Sequence, residues 1–160
     1  MSDLLSIVIP TYNRSDILYE NISYMLPDIV KNHIAVYISD DSTDLATKNK
    51  IDLLGYDRII YQKNDPSLGH DKNCISTLKM AKSKYVWYLG DSVYIKEGGL
   101  DYVLSVLAAD DYEMVFVNHN NPCNNFSGKV NDPIPFLKEN VWYLTLSGAT
   151  IYSTEALKSV

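Results

Sequence analysis

Cysteine is scarce in these 160 residues: Cys74 and Cys123 are the only two. Two are too few for a disulfide framework or a zinc site. No apolar run reaches the ~18–20 residues of a membrane span, and the acidic start Met1-Ser2-Asp3 is unlike a signal peptide. Basic blocks are missing too. The chain has 14 Lys and Arg against 20 Asp and Glu, a net charge of −6, which argues against a protein whose main work is gripping nucleic acid. Small phosphorylated ligands stay open, because one metal ion can mediate that contact. Three signature loops are absent as well. Without G-x-x-x-x-G-K-[ST] a P-loop phosphotransferase is out. Without G-x-G-x-x-G after the first strand a dinucleotide site is disfavoured. No G-x-S-x-G elbow pairs a nucleophile with His33, His70 or His119, which read as surface or loop residues, His70 in a cleft loop. The setting expected is soluble, reduced and cytoplasmic.

What is present is an ordinary globular composition, 46% hydrophobic and 21% charged, in a length that suits one domain. Apolar β-branched runs alternate with amphipathic stretches. Strands are expected at Leu4–Ile9 (stopping at Pro10), Ile34–Ile38, Arg58–Tyr61, Tyr85–Leu89 and Met114–Val117. A helix capped by Ser15 should kink or end at Pro27. A second, capped by Ser42 or Thr43, runs to Leu54 and closes at Gly55. A third covers about 70–81, with Cys74 on its apolar face as a core residue. A fourth follows Gly98-Gly99. This alternation is the signature of an open, mostly parallel α/β sheet with helices on both faces. From Asn118 to Pro135, six Asn, three Pro and one Gly mark a long loop, after which apolar segments resume at Phe136 and at 141–152. Asn-x-Ser triplets at Asn13, Asn21 and Asn125 carry no weight without a secretion signal. The 13 tyrosines against 3 Phe and 2 Trp point weakly to pocket walls, since tyrosine joins apolar area to a polar tip.

Ligands of such sheets bind outside the carboxyl ends of the strands. Four strands finish there in polar groups: Thr11-Tyr12-Asn13, Asp40-Asp41, Asn64-Asp65 and Gly90-Asp91. Gathered carboxylates repel unless a cation sits among them, and a hard divalent ion would also hold substrate phosphates. Helix capping is the rival role, more for Asp41 and Asp65 than for Asp40 and Asp91, which stand directly at strand ends.

These residues resemble a family. Ser6-Ile7-Val8-Ile9-Pro10-Thr11-Tyr12-Asn13-Arg14 is similar to the opening strand and loop of the inverting family 2 glycosyltransferases, which have the GT-A fold. Ile38-Ser39-Asp40-Asp41-Ser42-Thr43-Asp44 resembles the segment after their second strand. Asn64–Asn73, with Leu68-Gly69 and Lys72-Asn73, is similar to a third stretch. Tyr85–Asp91 resembles the strand entering the metal motif, and Leu146-Ser147-Gly148-Ala149 with Ser153–Leu157 a later acceptor-side segment. The resemblance implies a nucleotide-binding α/β half over 1–118, then a loop and the start of an acceptor-side half over 119–160, within one domain. It implies that Pro10, Thr11, Tyr12, Asn13 and Gly69 line a nucleotide pocket, that Asp40 accepts a hydrogen bond from the base, and that Lys72 lies near base or phosphates. Asp91 would bind Mn²⁺ or Mg²⁺ beneath the diphosphate.

The implied reaction moves a sugar, UDP-linked, from a nucleoside-diphosphate sugar to a glycan or lipid-linked acceptor with inversion, at the inner face of the membrane in a peripherally associated protein of cell-surface polysaccharide biosynthesis. No nucleic acid partner is implied. Two departures stand out: Val93 occupies the place of the second acidic residue of the metal motif, and nothing up to Val160 matches the catalytic base, which is expected beyond a C-terminal cut. Glu155 reads as a helix start and is not given the role. The alternative reading is a catalytically inactive nucleotide-binding or interaction module of the same fold. A phospho-receiver domain is disfavoured, because its acidic pair follows the first strand rather than the second.

Overall fold

The computed structural model describes residues 4–117, 128–144 and 146–158. The expectations at His119, Cys123 and Asn125 lie outside these residues. In chain order the elements are β1 (Leu5–Thr11), α1 (Ser15–Lys31), β2 (Ala35–Asp40), α2 (Ala46–Asp52), β3 (Ile59–Lys63), α3 (His70–Met80), β4 (Tyr85–Tyr88), α4 (Gly99–Ala109), β5 (Met114–Phe116), α5 (Pro133–Leu144), β6 (Thr150–Ser153) and α6 (Thr154–Lys158). The sheet order is β3-β2-β1-β4-β6-β5. β1 lies between β2 and β4 and is parallel to both, and β3 is parallel to β2. β6, a strand that the apolar segment over 141–152 did not announce, runs antiparallel between β4 and β5.

Side-chain alternation sorts the two faces. Ile7, Ile9, Val36, Ile38, Tyr85 and Trp87 pack with Leu18, Ile22, Met25 and Ile29 of α1, Ile51 of α2, and Leu100, Val103 and Leu107 of α4. Val8, Ala35, Tyr37 and Val86 face the other way, against Leu78 and Met80 of α3 and Leu157 of α6. The result is an α/β sheet covered on both faces, as the alternation predicts.

Three local expectations are corrected. Pro10 does not stop β1. The carbonyls of Leu4 and Val8 accept from β4-side amides and that of Thr11 from Asp41 beyond β2, so Pro10 turns its nitrogen toward the β4 side. β4 has already ended there at Tyr88, so no ladder bond is lost. Ser42 and Thr43 do not cap α2: that helix begins at Ala46, whose amide donates to Asp44 Oδ1 at 3.0 Å, and Ser42 is spent on Asp40. The loop expected through Pro135 ends earlier, because Pro133 opens α5 with Asp132 Oδ1 accepting the Ile134 amide at 3.2 Å. A proline suits that first helical position, where its N–H would be unpaired anyway.

Ser15 is the first residue of α1 rather than its cap, with Arg14 in the N-cap position, and Pro27 does not end that helix, which continues to Lys31. Ile29, fully buried, anchors the last turn, and Asn32 returns both its amide and its Nδ2 to the Asp28 carbonyl at 3.1 and 3.0 Å. The proline still denies the Ser23 carbonyl a helical donor. Pro27→Ala should therefore stabilise the protein, by about 1–3 kcal/mol. Urea denaturation checks this; an unchanged or lower midpoint would show that the bond loss is already compensated.

Candidate functional site

Four parallel strands end side by side, and their carboxyl ends surround a cavity of about 600 Å³. Pro10, Thr11, Tyr12 and Arg14 come from the end of β1, Asp41 from the end of β2, and Ser67, Gly69, His70 and Asn73 from the loop after β3 and the start of α3. Tyr88, Gly90, Asp91 and Ser92 come from the end of β4, and Ser147 from the turn before β6. Two glycines let that last turn approach. A Cβ on Gly90 would stand 2.8 Å from Ser147 Oγ, and Gly148 takes φ +88° with its would-be Cβ 3.0 Å from Val93. The Gly148 carbonyl meanwhile accepts from Trp87 Nε1 at 2.9 Å.

Beneath the cavity lies a buried polar network. Ser39 Oγ donates to Asn73 Oδ1 at 2.6 Å, and Asn64 Nδ2 donates to the same oxygen at 3.0 Å. Asn73 Nδ2 reaches the carbonyls of Thr11 (3.3 Å) and Ser39 (3.2 Å), which ties α3 to β1 and β2. α3 therefore turns polar groups inward beside Leu78 and Met80, Asn73 and Thr77 being its buried residues. Cys74, expected in the core, is only half-buried, 3.1 Å from the hydroxyl of Tyr88 and 4.0 Å from His70 Nε2. Burial, and then the Cys74 contact, push the Tyr88 phenol above its ordinary range.

The adjacent aspartates have different surroundings. Asp40, the last residue of β2, shares the face of Val36 and Ile38 and is fully buried. Its carboxylate accepts from the Ser42 amide at 2.9 Å, from the Ser42 hydroxyl, and from Tyr61 Oη at 2.6 Å. Asp41 faces the cavity and caps no helix. It accepts from Ser67 Oγ (2.6 Å), Leu68 N (2.7 Å), Gly69 N (2.9 Å) and Asn64 Nδ2 (3.2 Å). Burial alone would raise its pKa, but these four donors outweigh it and hold the carboxyl below its usual value.

Of the residues that the resemblance singled out, Pro10, Thr11, Tyr12, Gly69 and Asp91 line the cavity. Asp40 lies behind the wall. Asn13 spends its amide on Ser42 Oγ at 2.8 Å, with φ +54°. Lys72 is exposed on α3. Arg14, Asp41, Ser67, His70, Asn73, Tyr88 and Ser147 also line the cavity; the resemblance gave none of them a role, although Asp41 was noted as a strand-end acid and His70 as a cleft-loop residue. All seven stood inside the quoted segments, so the motifs contained them although their orientation was not readable.

Asp91 is the carboxylate expected to bind a divalent ion. It accepts from Thr11 Oγ1 at 3.1 Å and from the Arg14 guanidinium at 3.4 Å, while Asn21 Nδ2 holds its carbonyl at 2.9 Å. Val93 packs against the apolar core, so no second ligand stands two residues on. Among the described residues no three His, Cys, Asp or Glu side chains come together. This donor set fits a divalent ion poorly.

Asp41→Asn turns an acceptor into a donor against the loop amides and should cost about 1.5–3 kcal/mol at pH 7, the worth of a hydrogen bond to a charged group. Because the folded pKa is depressed, the stabilisation is full above the unfolded pKa and is lost as pH falls through the folded one. The urea-midpoint gap between wild type and Asp41→Asn should therefore be full at pH 7 and narrow as the pH is lowered below about 4; a gap that is constant with pH would contradict the pairing.

The sequence model for "Glycosyl transferase family 2" matches residues 6–151. Abequosyltransferase RfbV of Salmonella typhimurium is 31% identical over 121 residues, 69% of this chain and 36% of that protein. The UDP-Glc:alpha-D-GlcNAc-diphosphoundecaprenol beta-1,3-glucosyltransferase WfaP of Escherichia coli is 35% identical over 94 residues, 58% of this chain and 36% of that protein. The chain thus spans little more than a third of the length of these curated relatives. Among solved structures, S. aureus TarS 1-349 in complex with UDP superposes with a TM-score of 0.68 at 19% identity, covering 98% of this chain and 48% of that one. Mannosyltransferase PcManGT from Pyrobaculum calidifontis, in complex with GDP-Man and Mn²⁺, gives 0.65 at 14% identity, covering 99% and 47%. These likenesses show the GT-A fold, and the match over nearly the whole chain shows the family: the chain belongs to glycosyl transferase family 2.

Proposed function

We propose that the cavity binds a nucleoside-diphosphate sugar, with uridine as the base, and that the protein transfers the sugar with inversion to a glycan or lipid-linked acceptor. The observation that carries this reading is the meeting of the ends of β1, β2 and β4, the loop after β3 and the turn before β6 around one cavity. The printed names of the relatives support the donor and acceptor: one solved structure holds UDP, and one curated relative acts on a diphosphoundecaprenol-linked sugar.

Residue roles follow the geometry. Tyr12, 55% exposed at the cavity rim, offers a ring for the base to stack on. Ser67 Oγ gives its proton to Asp41, so it faces the cavity as an acceptor, suited to an imide N–H. The base contact that the resemblance gave to Asp40 passes in this reading to the Asp41–Ser67 pair. Asp40 and Asn13 act behind it, as the frame that holds Ser42. Pro10, Thr11 and Gly69 shape the wall and Asp91 lies beside the diphosphate, while Lys72, exposed on α3 outside the lining, is given no contact in this reading.

Transfer requires the acceptor oxygen to attack the anomeric carbon from the face opposite the diphosphate. The bond to the leaving oxygen breaks with its electron pair, and the acceptor proton passes to a base. The carboxylates on the described wall, Asp41 and Asp91, both hold fixed partners. Asp132 caps α5 and Glu155 sits in the first turn of α6. The base is therefore assigned outside the described wall, and the 160-residue chain is expected to bind donor without robust transfer. No helix among the described residues is long and apolar enough to cross a membrane.

A thermal-shift panel of UDP, GDP, dTDP and CDP tests the proposal. UDP should give the largest shift, since a ligand at 100 times its Kd adds roughly 2.7 kcal/mol of apparent stability. Tyr12→Ala should weaken UDP binding by about 1–3 kcal/mol, the usual worth of a base stacked on an aromatic ring. No shift with any of the four would contradict the reading.

A further inference from the structure

We infer that Arg14, not a protein-held divalent ion, supplies the cation that meets the donor's diphosphate. The inference rests on the nucleotide-sugar reading of the cavity and adds a metal-independent mode of charge neutralisation to it.

Three observations carry it. The acidic set at the diphosphate end is reduced to Asp91, because Val93 is committed to the core, and among the described residues no three ligating side chains gather anywhere. Both oxygens of Asp91 are already engaged, Oδ2 by the Thr11 hydroxyl and Oδ1 by the Arg14 guanidinium. An ion at Asp91 would have to share the carboxylate with Arg14 and sit against its positive charge. Finally, Arg14 is the one Lys or Arg among the described residues that line the cavity.

The backbone fixes where that charge stands. Asn13 turns the chain through a positive φ and is pinned to Ser42. The Arg14 carbonyl then accepts the Leu18 amide at 3.0 Å as α1 begins. From the second turn of α1, Asn21 holds the Asp91 backbone, so the ion pair joins two anchored segments. A guanidinium has five N–H donors in a planar fork, and only one is directed at Asp91. The remainder can take phosphate oxygens in the bidentate geometry that arginine favours. As the bond to the anomeric carbon breaks, the electron pair and negative charge move onto the leaving diphosphate oxygen. Arg14 stabilises that charge without changing its own protonation.

The test is calorimetric titration of UDP and UMP into the 160-residue chain, once in EDTA and once in Mn²⁺, for wild type, Arg14→Ala and Arg14→Lys. Wild-type affinity for UDP should agree within about tenfold between the two buffers. In EDTA, Arg14→Ala should lose at least about tenfold for UDP while UMP changes far less, because the lost contact is to the second phosphate. Arg14→Lys, which keeps the charge without the fork, should fall between the two. A Mn²⁺ enhancement above about tenfold would overturn the inference. So would an Arg14→Ala variant that binds UDP as wild type does in EDTA, or one that loses UDP and UMP equally. If UDP binds wild type in neither buffer, the failure lies with the nucleotide-sugar reading itself.

Discussion

The ligand edge of this fold depends on a carboxylate that has lost its water. Asp41 keeps 3% of its surface, and a buried carboxylate without donors is among the costlier things a protein can hold. The chain answers by folding the loop after β3 over it, so that Ser67, Leu68 and Gly69 all point donors inward. The Asp41 amide in turn reaches the Thr11 carbonyl at 3.0 Å. One residue thus joins the ends of β1 and β2 to the entry of α3, and Asn64 and Asn73 extend the tie beneath it. The cavity wall exists in its present form because these groups must satisfy one another.

Charge in the cavity follows a different rule. The protein carries a net charge of −6, so an anionic donor must be received by local rather than global electrostatics. Asp91 adds a further negative charge at the end of β4, and the Arg14 beside it offsets that charge. An arginine whose side chain is 54% exposed contributes little as a surface ion pair. Its worth to the protein lies in what the fork can do once a phosphate excludes water from the site.

Much of the fold was legible because periodicity and burial agree. β1, β2 and β4 are runs of buried residues, and α1 repeats its buried positions at helical spacing. The five-fold alternation placed the strand ends together before any contact was known. Legibility failed where a distant partner decides. Cys74 and its neighbours read as an apolar face, yet α3 lies over the polar ends of β1 and β2, so Asn73 and Thr77 are the residues it buries. β6 was missed because an antiparallel insertion pairs residues that are 64 to 68 positions from their β4 partners.

The site shows the same division. The motifs brought out Thr11, Tyr12, Gly69 and Asp91, and the cavity holds them all. Strand alternation sends Asp40 toward the core with Val36 and Ile38, but it says nothing of Asp41, which stands past the last paired residue. The Arg14–Asp91 contact spans 77 positions, and no local pattern announces it. The account's central claim is that nucleotide and diphosphate occupy the edge formed by the ends of β1, β2 and β4 and the loop after β3. Amide hydrogen exchange with and without saturating UDP tests it most directly: the account predicts added protection over residues 11–14, 41–42, 67–73 and 90–92, whereas protection confined to other segments, or none, would contradict it.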